Sequence, residues 1–371
     1  MTTIAITGVG GLLGRRLVEA LEGRADVGRI IGIDWELPEG LTASKLTPRR
    51  LDVRDPELTG AFEGVDVVVH LAFQHDPLHD EAHMRSINVD GTRAVLDAAQ
   101  RAGVDHLVHT SSVLAYGARA DNDVPLTEDS PLRGIPGFSY AEHTREVEEH
   151  LAAHLEADAA ERGPTISVLR LGVLLGPGVD TVITRSFEAP RLPAVKGHRP
   201  PLQFLHPDDA VSAIVHALDH RLHGAYNVAA EGWLSFDEVA AIVGRGVVEV
   251  PEEVAYSTLA RLWSLGIGEQ PPGMLALFVH PWVVSSSKLI ATGWRPHYTN
   301  RDAVASMAAE HAGYVSVLGV RTRWATLRRL AAGSAAVLAL ATWRLVATVR
   351  RRRAARAWAA DEVADDGQLP R

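Results

Sequence analysis

The run Ile4-Ala5-Ile6-Thr7-Gly8-Val9-Gly10-Gly11-Leu12-Leu13-Gly14 is the stretch on which the fold turns. An apolar strand pattern from Ile4 to Thr7 meets Gly8, Gly11 and Gly14 and continues as a helix-like run from Leu12 to Leu21. A strand, a Gly-rich turn and a helix start in this order make a dinucleotide phosphate site. The glycines let the backbone approach a pyrophosphate, and the helix opening at Leu12 and Leu13 offers N–H groups without intrahelical partners. The context agrees: Ile30 to Ile33 reads as a second buried strand, and Asp34 ends it about 20 residues past the turn, where a ribose-binding carboxylate belongs. An ordinary tight strand-to-helix turn would have to explain these three features separately.

Working outward, apolar strand runs alternate with amphipathic stretches through the first half, the pattern of βαβ units around a parallel sheet. Strands are expected at Ile4 to Thr7, Ile30 to Asp34, Arg49 to Asp52, Val67 to Leu71, His106 to Ser111 and Ser167 to Leu171. Helices are expected near Leu12 to Leu21, Pro56 to Phe62, Ser86 to Ala102 and Tyr140 to Leu155. Right-handed crossovers then give an α/β, doubly wound parallel sheet of the Rossmann type. Beyond Gly176 the alternation fades and Pro190, Pro193, Pro200 and Pro201 cluster, with further helices at Ala210 to Leu218 and Ser235 to Val243. The expected organisation is a dinucleotide-binding domain over 1–172, a small α+β substrate lobe interleaved with the sheet edge over 173–312, and a basic apolar helix with a disordered tail over 313–371.

The 371 residues include no cysteine, which excludes disulfides, thiolate metal sites and cysteine nucleophiles. The net charge of -9 conceals an asymmetry, because ten of the 37 basic residues lie between Arg321 and Arg356 with no acid among them. The rest of the chain is strongly acidic and has no electrostatic case for nucleic acid. Met1 to Leu13 has no signal-peptide pattern, so a cytoplasmic location is expected. Leu330 to Val349 is an apolar run broken by Arg344, with Arg328 and Arg329 before it and Arg350 to Arg353 after. As a helix it would reach about 30 Å, the thickness of a bilayer core. Its Ala and Thr content, Arg344 and the misplaced four-arginine block all oppose a span. The favoured expectation is a helix lying on the anionic inner membrane face, with a partner-binding or core helix and a span as alternatives. His75, His79 and His83 are spaced by four, near Asp76, Asp80 and Glu81, but Pro77 interrupts a helix there. A solvated polar loop is expected, and no metal site.

Further runs follow TGVGGLLG in a telling order: LDV at Leu51 to Val53, VVVHLAF at Val67 to Phe73, NVDGT at Asn88 to Thr92 and TSSVLAYG at Thr110 to Gly117. SYAEHT at Ser139 to Thr144, LRLGVLLGPG at Leu169 to Gly178, FLHPDDA at Phe204 to Ala210 and KLIATGWRP at Lys288 to Pro296 complete the series. Over about residues 1 to 312 the chain resembles the extended short-chain dehydrogenases/reductases, in the branch of NAD-dependent epimerases and dehydratases. The resemblance implies that Gly8, Gly11, Leu12, Leu13 and Gly14 hold the pyrophosphate of NAD and that Asp34 holds the adenosine ribose, its charge opposing a 2′-phosphate. It implies Asp52 and Val53 beside the adenine, and Leu71 and Ala72 on the path to the nicotinamide.

The same resemblance implies an oxidoreductase or epimerase acting at a carbinol carbon of a small-molecule substrate. Tyr140 would shuttle a proton to or from the substrate oxygen while hydride moves, and Ser112 would hydrogen-bond that oxygen. A free tyrosine has a pKa of about 10, roughly three units above neutrality, and the family sets a lysine one helical turn on to lower it. Here that position is Thr144. Arg145 is about 100° around the helix, and His143 is off-face too. Three readings follow: altered chemistry that relies on the nicotinamide charge, a catalytically silent NAD-binding scaffold or regulator, or substitution by Arg145. The resemblance also implies a homodimer through the helix that begins at Tyr140. His206, Asp208 and Asp209 are expected to end a strand and cap a helix, and Arg170 to serve folding or a substrate anion. Trp263, Met274, Phe278 and Trp282, around Pro271, Pro272 and Gly273, read as lobe core or as the wall of an apolar pocket, with no basic cluster for a diphosphate.

Overall fold

The chain is represented by a computed structural model that describes residues 1–156, 163–317 and 320–323 and positions 343, 344, 347 and 348. Its first half runs β1 (Thr2–Thr7), α1 (Leu12–Glu22), β2 (Val27–Asp34), β3 (Leu46–Arg50), α2 (Leu58–Ala61), β4 (Val67–His70), α3 (Glu81–Arg85), a π-turn (Ser86–Asp90), α4 (Gly91–Ala102), β5 (His106–Ser112), α5 (Ser139–Glu156) and β6 (Thr165–Leu171). There follow β7 (Val173–Leu174), α6 (Val182–Ser186), β8 (Arg191–Val195), β9 (Phe204–Leu205), α7 (Pro207–Asp219), β10 (Gly224–Val228), α8 (Phe236–Val243), β11 (Gly246–Val250), α9 (Glu252–Ser264), α10 (Ser287–Ala291), α11 (Asn300–Glu310), β12 (Tyr314–Val317) and β13 (Val320–Arg323).

Seven strands form one parallel sheet in the order β10-β6-β5-β4-β1-β2-β3. The chain leaves β1 toward β2 and leaves β4 in the opposite direction toward β5. A crevice therefore opens at the carboxyl ends of β1 and β4, the switch point where open α/β sheets bind ligands. Strand interiors such as Ile4, Ile6, Val68, Val69 and Val108 are fully covered, as a sheet with helices on both faces requires. A second apolar cluster, which includes Phe138, Phe187, Phe204, Phe236 and Trp282, forms the lobe above the carboxyl ends.

Several local expectations are corrected. The third strand is Leu46–Arg50, three residues earlier than expected, because Asp52 turns the chain by accepting the Arg54 N–H at 2.8 Å. Pro56 to Phe62 holds only one α-turn, α2. The long helix expected from Ser86 breaks into the π-turn and α4, since the buried Asn88 side chain reaches out to the loop after β4. The seventh strand, β10, was missed: it is short and carries the polar Asn227. The run Leu330 to Val349 lies outside the described residues apart from the isolated positions named above. Among the described residues no helix is long and apolar enough to cross a membrane.

Three histidines are sealed into β4 and β5. His70 contacts Thr7 (Nδ1 to Oγ1, 2.6 Å) and Thr92 (Nε2 to Oγ1, 3.0 Å) and stacks on His109, their centroids 5.3 Å apart. Burial pushes His106 and His109 down to about 4, with nearby Arg221 adding to the effect at His106. Burial, then His109, drives His70 well below the usual imidazole range. The folded chain therefore refuses protons that the unfolded chain takes up near pH 6.5, so this contribution is complete above that pH and is lost on acidification toward 4. Urea titrations are expected to give a lower midpoint and a smaller unfolding free energy at pH 5 than at pH 7, the loss being on the order of 2 kcal/mol for each of His106 and His109. His109→Gln should flatten the dependence, and equal midpoints at the two pH values would contradict the assignment.

Candidate active site

The Gly-rich turn closes against the end of β4. Gly8 has φ +73°, and a Cβ there would lie 2.7 Å from the Ala72 nitrogen, so only glycine fits. Gly14 is equally confined, 2.6 Å from the Val9 Cα by the same measure. Helix α1 starts at Gly11 with no side-chain cap and no acid in its first turn. The N–H groups of Leu12, Leu13 and Gly14 are thus left for an anion. Asp34, at the end of β2, accepts the Gly10 N–H on Oδ2 at 2.8 Å, which fixes its carboxylate beside the turn. This cradle, with its uncapped helix start and adjoining carboxylate, fits the pyrophosphate and ribose of a dinucleotide. Asp52 is paired with Arg54 at 2.7 Å, and that hydrogen bond holds its carboxyl below the usual range. Val53 is buried under Gly91, and Leu71 and Ala72 back the turn at Gly8.

From Ala72 the chain leads directly to the tyrosine. The Phe73 ring meets Tyr140 edge-on at 5.7 Å between centroids, and His75 and Phe138 stand at 5.6 and 5.9 Å. Asn88 holds this loop: its Oδ1 accepts the Gln74 N–H at 2.7 Å, and its Nδ2 donates to the Gln74 carbonyl at 3.0 Å and lies 3.4 Å from His143 Nδ1. Tyr140 is half-buried, and Ser112, at the end of β5, accepts the Leu114 N–H on its Oγ at 3.2 Å and stands near the phenol. Burial raises the Tyr140 pKa above the ordinary phenol value, and the Ser112 hydroxyl opposes the rise.

Thr144 brings no charge to this phenol. It is 1% exposed, and its hydroxyl donates to the Tyr140 carbonyl at 2.7 Å, a bond within the helix. Arg145 turns to Glu149 at 2.5 Å and Glu142 at 3.4 Å instead. Tyr140, Thr144 and Glu148 follow one another at four-residue spacing on one face of α5. Glu148 is 4% exposed, accepts from Ser111 on β5, and accepts from Arg170 Nε on β6 at 2.7 Å. Arg170 also donates to the Tyr116 hydroxyl at 2.5 Å, and Tyr116 donates to Asn227 of β10 at 2.8 Å. Arg170, read from sequence as either a folding or a substrate residue, is thus committed to internal partners.

The site motifs from Gly8 to Tyr140 therefore converge on the crevice, while the polar cluster after Phe204 does not join them. His206 caps α7, Asp208 pairs with Arg16, and buried Asp209 accepts the N–H groups of His297 (2.8 Å) and Tyr298 (3.0 Å). The spaced histidines His75, His79 and His83 are all exposed, as a polar loop requires; His79 also stacks on Trp263 at 3.9 Å, and His83 donates its N–H to Asp80. Asn88 and Glu148 were missed as site residues. Asn88 was legible within NVDGT; Glu148 could have been suspected from its four-residue spacing after Tyr140 and Thr144.

Comparisons with known proteins bear on the family and the fold. The sequence profile of the NAD dependent epimerase/dehydratase family matches residues 4–229. An uncharacterised protein of Mycobacterium tuberculosis is 29% identical over 258 residues, 67% of this chain and 67% of its own. An L-arabinose 1-dehydrogenase (NAD(P)(+)) of Haloferax volcanii is 42% identical over 113 residues, 30% of this chain and 41% of its own. Among solved structures, MoeE5 in complex with UDP-glucuronic acid and NAD is similar with a TM-score of 0.64 at 21% identity, covering 83% of this chain and 98% of that one.

Removal of the carboxylate beneath Tyr140 tests the framework. Glu148→Ala strands the buried Arg170 guanidinium and is expected to cost about 3–5 kcal/mol of folding free energy, measured by urea unfolding, with Glu148→Gln costing less. A loss within experimental error of zero would show that the pair does not hold α5 to the sheet.

Proposed function

The chain belongs to the NAD-dependent epimerase/dehydratase family, and on that premise we propose that it is an NAD-dependent oxidoreductase acting at a carbonyl or carbinol carbon, working best as a carbonyl reductase. The observation that carries this reading is a half-buried Tyr140 phenol near Ser112, with an uncharged Thr144 where a cation would lower its pKa. Gly8, Gly11, Leu12, Leu13 and Gly14 bind the pyrophosphate, Asp34 the ribose, Asp52 and Val53 flank the adenine, and Leu71 and Ala72 direct the nicotinamide toward Tyr140. NAD supplies a hydride acceptor, and in its reduced form a hydride donor. Tyr140 gives its phenolic proton to the substrate oxygen, and Ser112 donates a hydrogen bond to that oxygen in turn.

Direction follows from charge. Burial keeps the phenol protonated at neutral pH, which is the form that a carbonyl reduction consumes. Alcohol oxidation, and the oxidative half of an epimerisation, need the tyrosinate, which burial disfavours at pH 7. The commitment of Thr144 to a backbone carbonyl also favours a second reading, a scaffold or regulator that binds NAD without turnover. Absorbance at 340 nm separates the two: a scaffold binds NADH and never consumes it with any carbonyl compound. The arginines from Arg321 to Arg356 support attraction to an anionic membrane surface as an added property of the tail.

Calorimetric titration is expected to give at least about tenfold tighter binding of NAD than of NADP, a difference of about 1.4 kcal/mol from the Asp34 charge. Equal affinities would remove Asp34 from the ribose. A tyrosinate absorbance titration of the parent minus Tyr140→Phe should place Tyr140 above about 10, and Thr144→Lys should lower it by about one unit or more while speeding alcohol oxidation near pH 8. A parent phenol that already titrates near pH 7 would mean that another cation does the work of the lysine.

A further inference from the structure

Arg185, on α6, is the guanidinium that seats on the loop carrying Phe73 and His75. It is occupied on three sides: Nη2 meets Asp76 Oδ2 at 2.6 Å, Nη1 meets Asp180 Oδ1 at 3.0 Å and Nε meets Glu269 Oε2 at 3.1 Å. Asp76 also accepts the Val182 N–H at 2.9 Å, so it fastens the start of α6 to the same loop. Asp180 also meets Arg321 Nη1 at 3.4 Å, and Arg321 in turn meets Glu188 at 2.7 Å, so four carboxylates surround two guanidiniums and an incoming phosphate would meet repulsion rather than a free cation. The segment that supplies Glu269 also carries an aromatic surface. His79 stacks on Trp263 of α9 at 3.9 Å, and its Nε2 lies 3.3 Å from the Gly268 carbonyl. Further along the same segment, Gly273 is pressed against Gly137, three residues before Tyr140, where a Cβ would lie 2.6 Å from the Gly137 carbonyl carbon. The segment from α9 to Gly273 thus bridges from the loop after β4 to the start of α5, over a Tyr140 ringed by Phe73, His75 and Phe138.

We propose that the cleft takes an uncharged ketone or alcohol with an apolar, ring-bearing body, packed against Trp263 and Phe73, and that Arg185 ties the wall of the cleft together instead of receiving an anion. This rests on the oxidoreductase reading above and differs from it in naming the substrate class. It also sets the chain apart from the relative that holds UDP-glucuronic acid. Charge and shape point the same way here: the Arg185 guanidinium is paired with carboxylates on three sides, and the surfaces flanking the tyrosine are aromatic.

The full-length protein saturated with NADH is titrated with 1-tetralone, cyclohexanone and 2-decanone, and separately with UDP and UDP-glucose, following tryptophan fluorescence and heat. At least one ketone is expected to bind with a Kd below about 100 μM, while UDP and UDP-glucose show no binding up to about 1 mM. Trp263→Leu should weaken the ketone at least fivefold and leave NADH affinity unchanged. Binding of UDP below about 100 μM that is lost in Arg185→Ala overturns the proposal, as does failure of every ketone to bind at about 1 mM. Ketone binding without loss of absorbance at 340 nm would instead fail the oxidoreductase reading and leave the assignment of the cleft standing. Consumption of NADH with a UDP sugar alone would do the reverse.

Discussion

One buried carboxylate sets the geometry on which the site depends. Glu148 joins Ser111 on β5 to Arg170 on β6 from the inner face of α5, and Arg170 passes the connection through Tyr116 to Asn227 on β10. Burying such a pair is costly unless nearly every polar atom has a partner, so it tolerates little sliding of the helix. With α5 fixed at Glu148, Tyr140 two turns earlier is fixed as well. Ser111, which holds Glu148, precedes Ser112, which stands near Tyr140, so one strand end borders both ends of the helix face.

The cofactor side is tied to the same point by a short chain of contacts. The close approach of Gly8 to Ala72 sets the turn against the end of β4, and Phe73, the next residue, carries the contact to Tyr140. Asn88 keeps this link in place by pairing both hydrogen-bonding groups of the Gln74 backbone. To reach them, α4 opens with a π-turn. A π-turn inside a helical stretch is energetically unfavourable and is commonly retained at functional sites.

The parts of the fold that were legible in the sequence are those in which local chemistry dictates structure. Gly8 and Gly14 occupy places where a side chain would collide, and the apolar runs from Ile4, Ile30 and Val67 become interior strands of the sheet. Strand β10 escaped because Asn227 breaks the apolar pattern; the residue is there to serve Tyr116 and the backbone around Ser285, which are distant in sequence. The triple clamp on Arg185 was equally hidden. Its three partners come from positions 76, 180 and 269, and no spacing rule joins them. The absent lysine was plain from Thr144, but the outward pairing of Arg145 needed coordinates.

The central claim is that one crevice brings a dinucleotide and the Tyr140 phenol together. A crystal structure of the protein grown with NAD tests it most directly. The pyrophosphate is expected over Gly8 to Gly14, the adenosine ribose on Asp34, and the nicotinamide ring at the Tyr140 and Ser112 hydroxyls, with no lysine or arginine nitrogen within hydrogen-bonding distance of the phenol. A nicotinamide turned away from Tyr140, or a dinucleotide bound elsewhere, would contradict it.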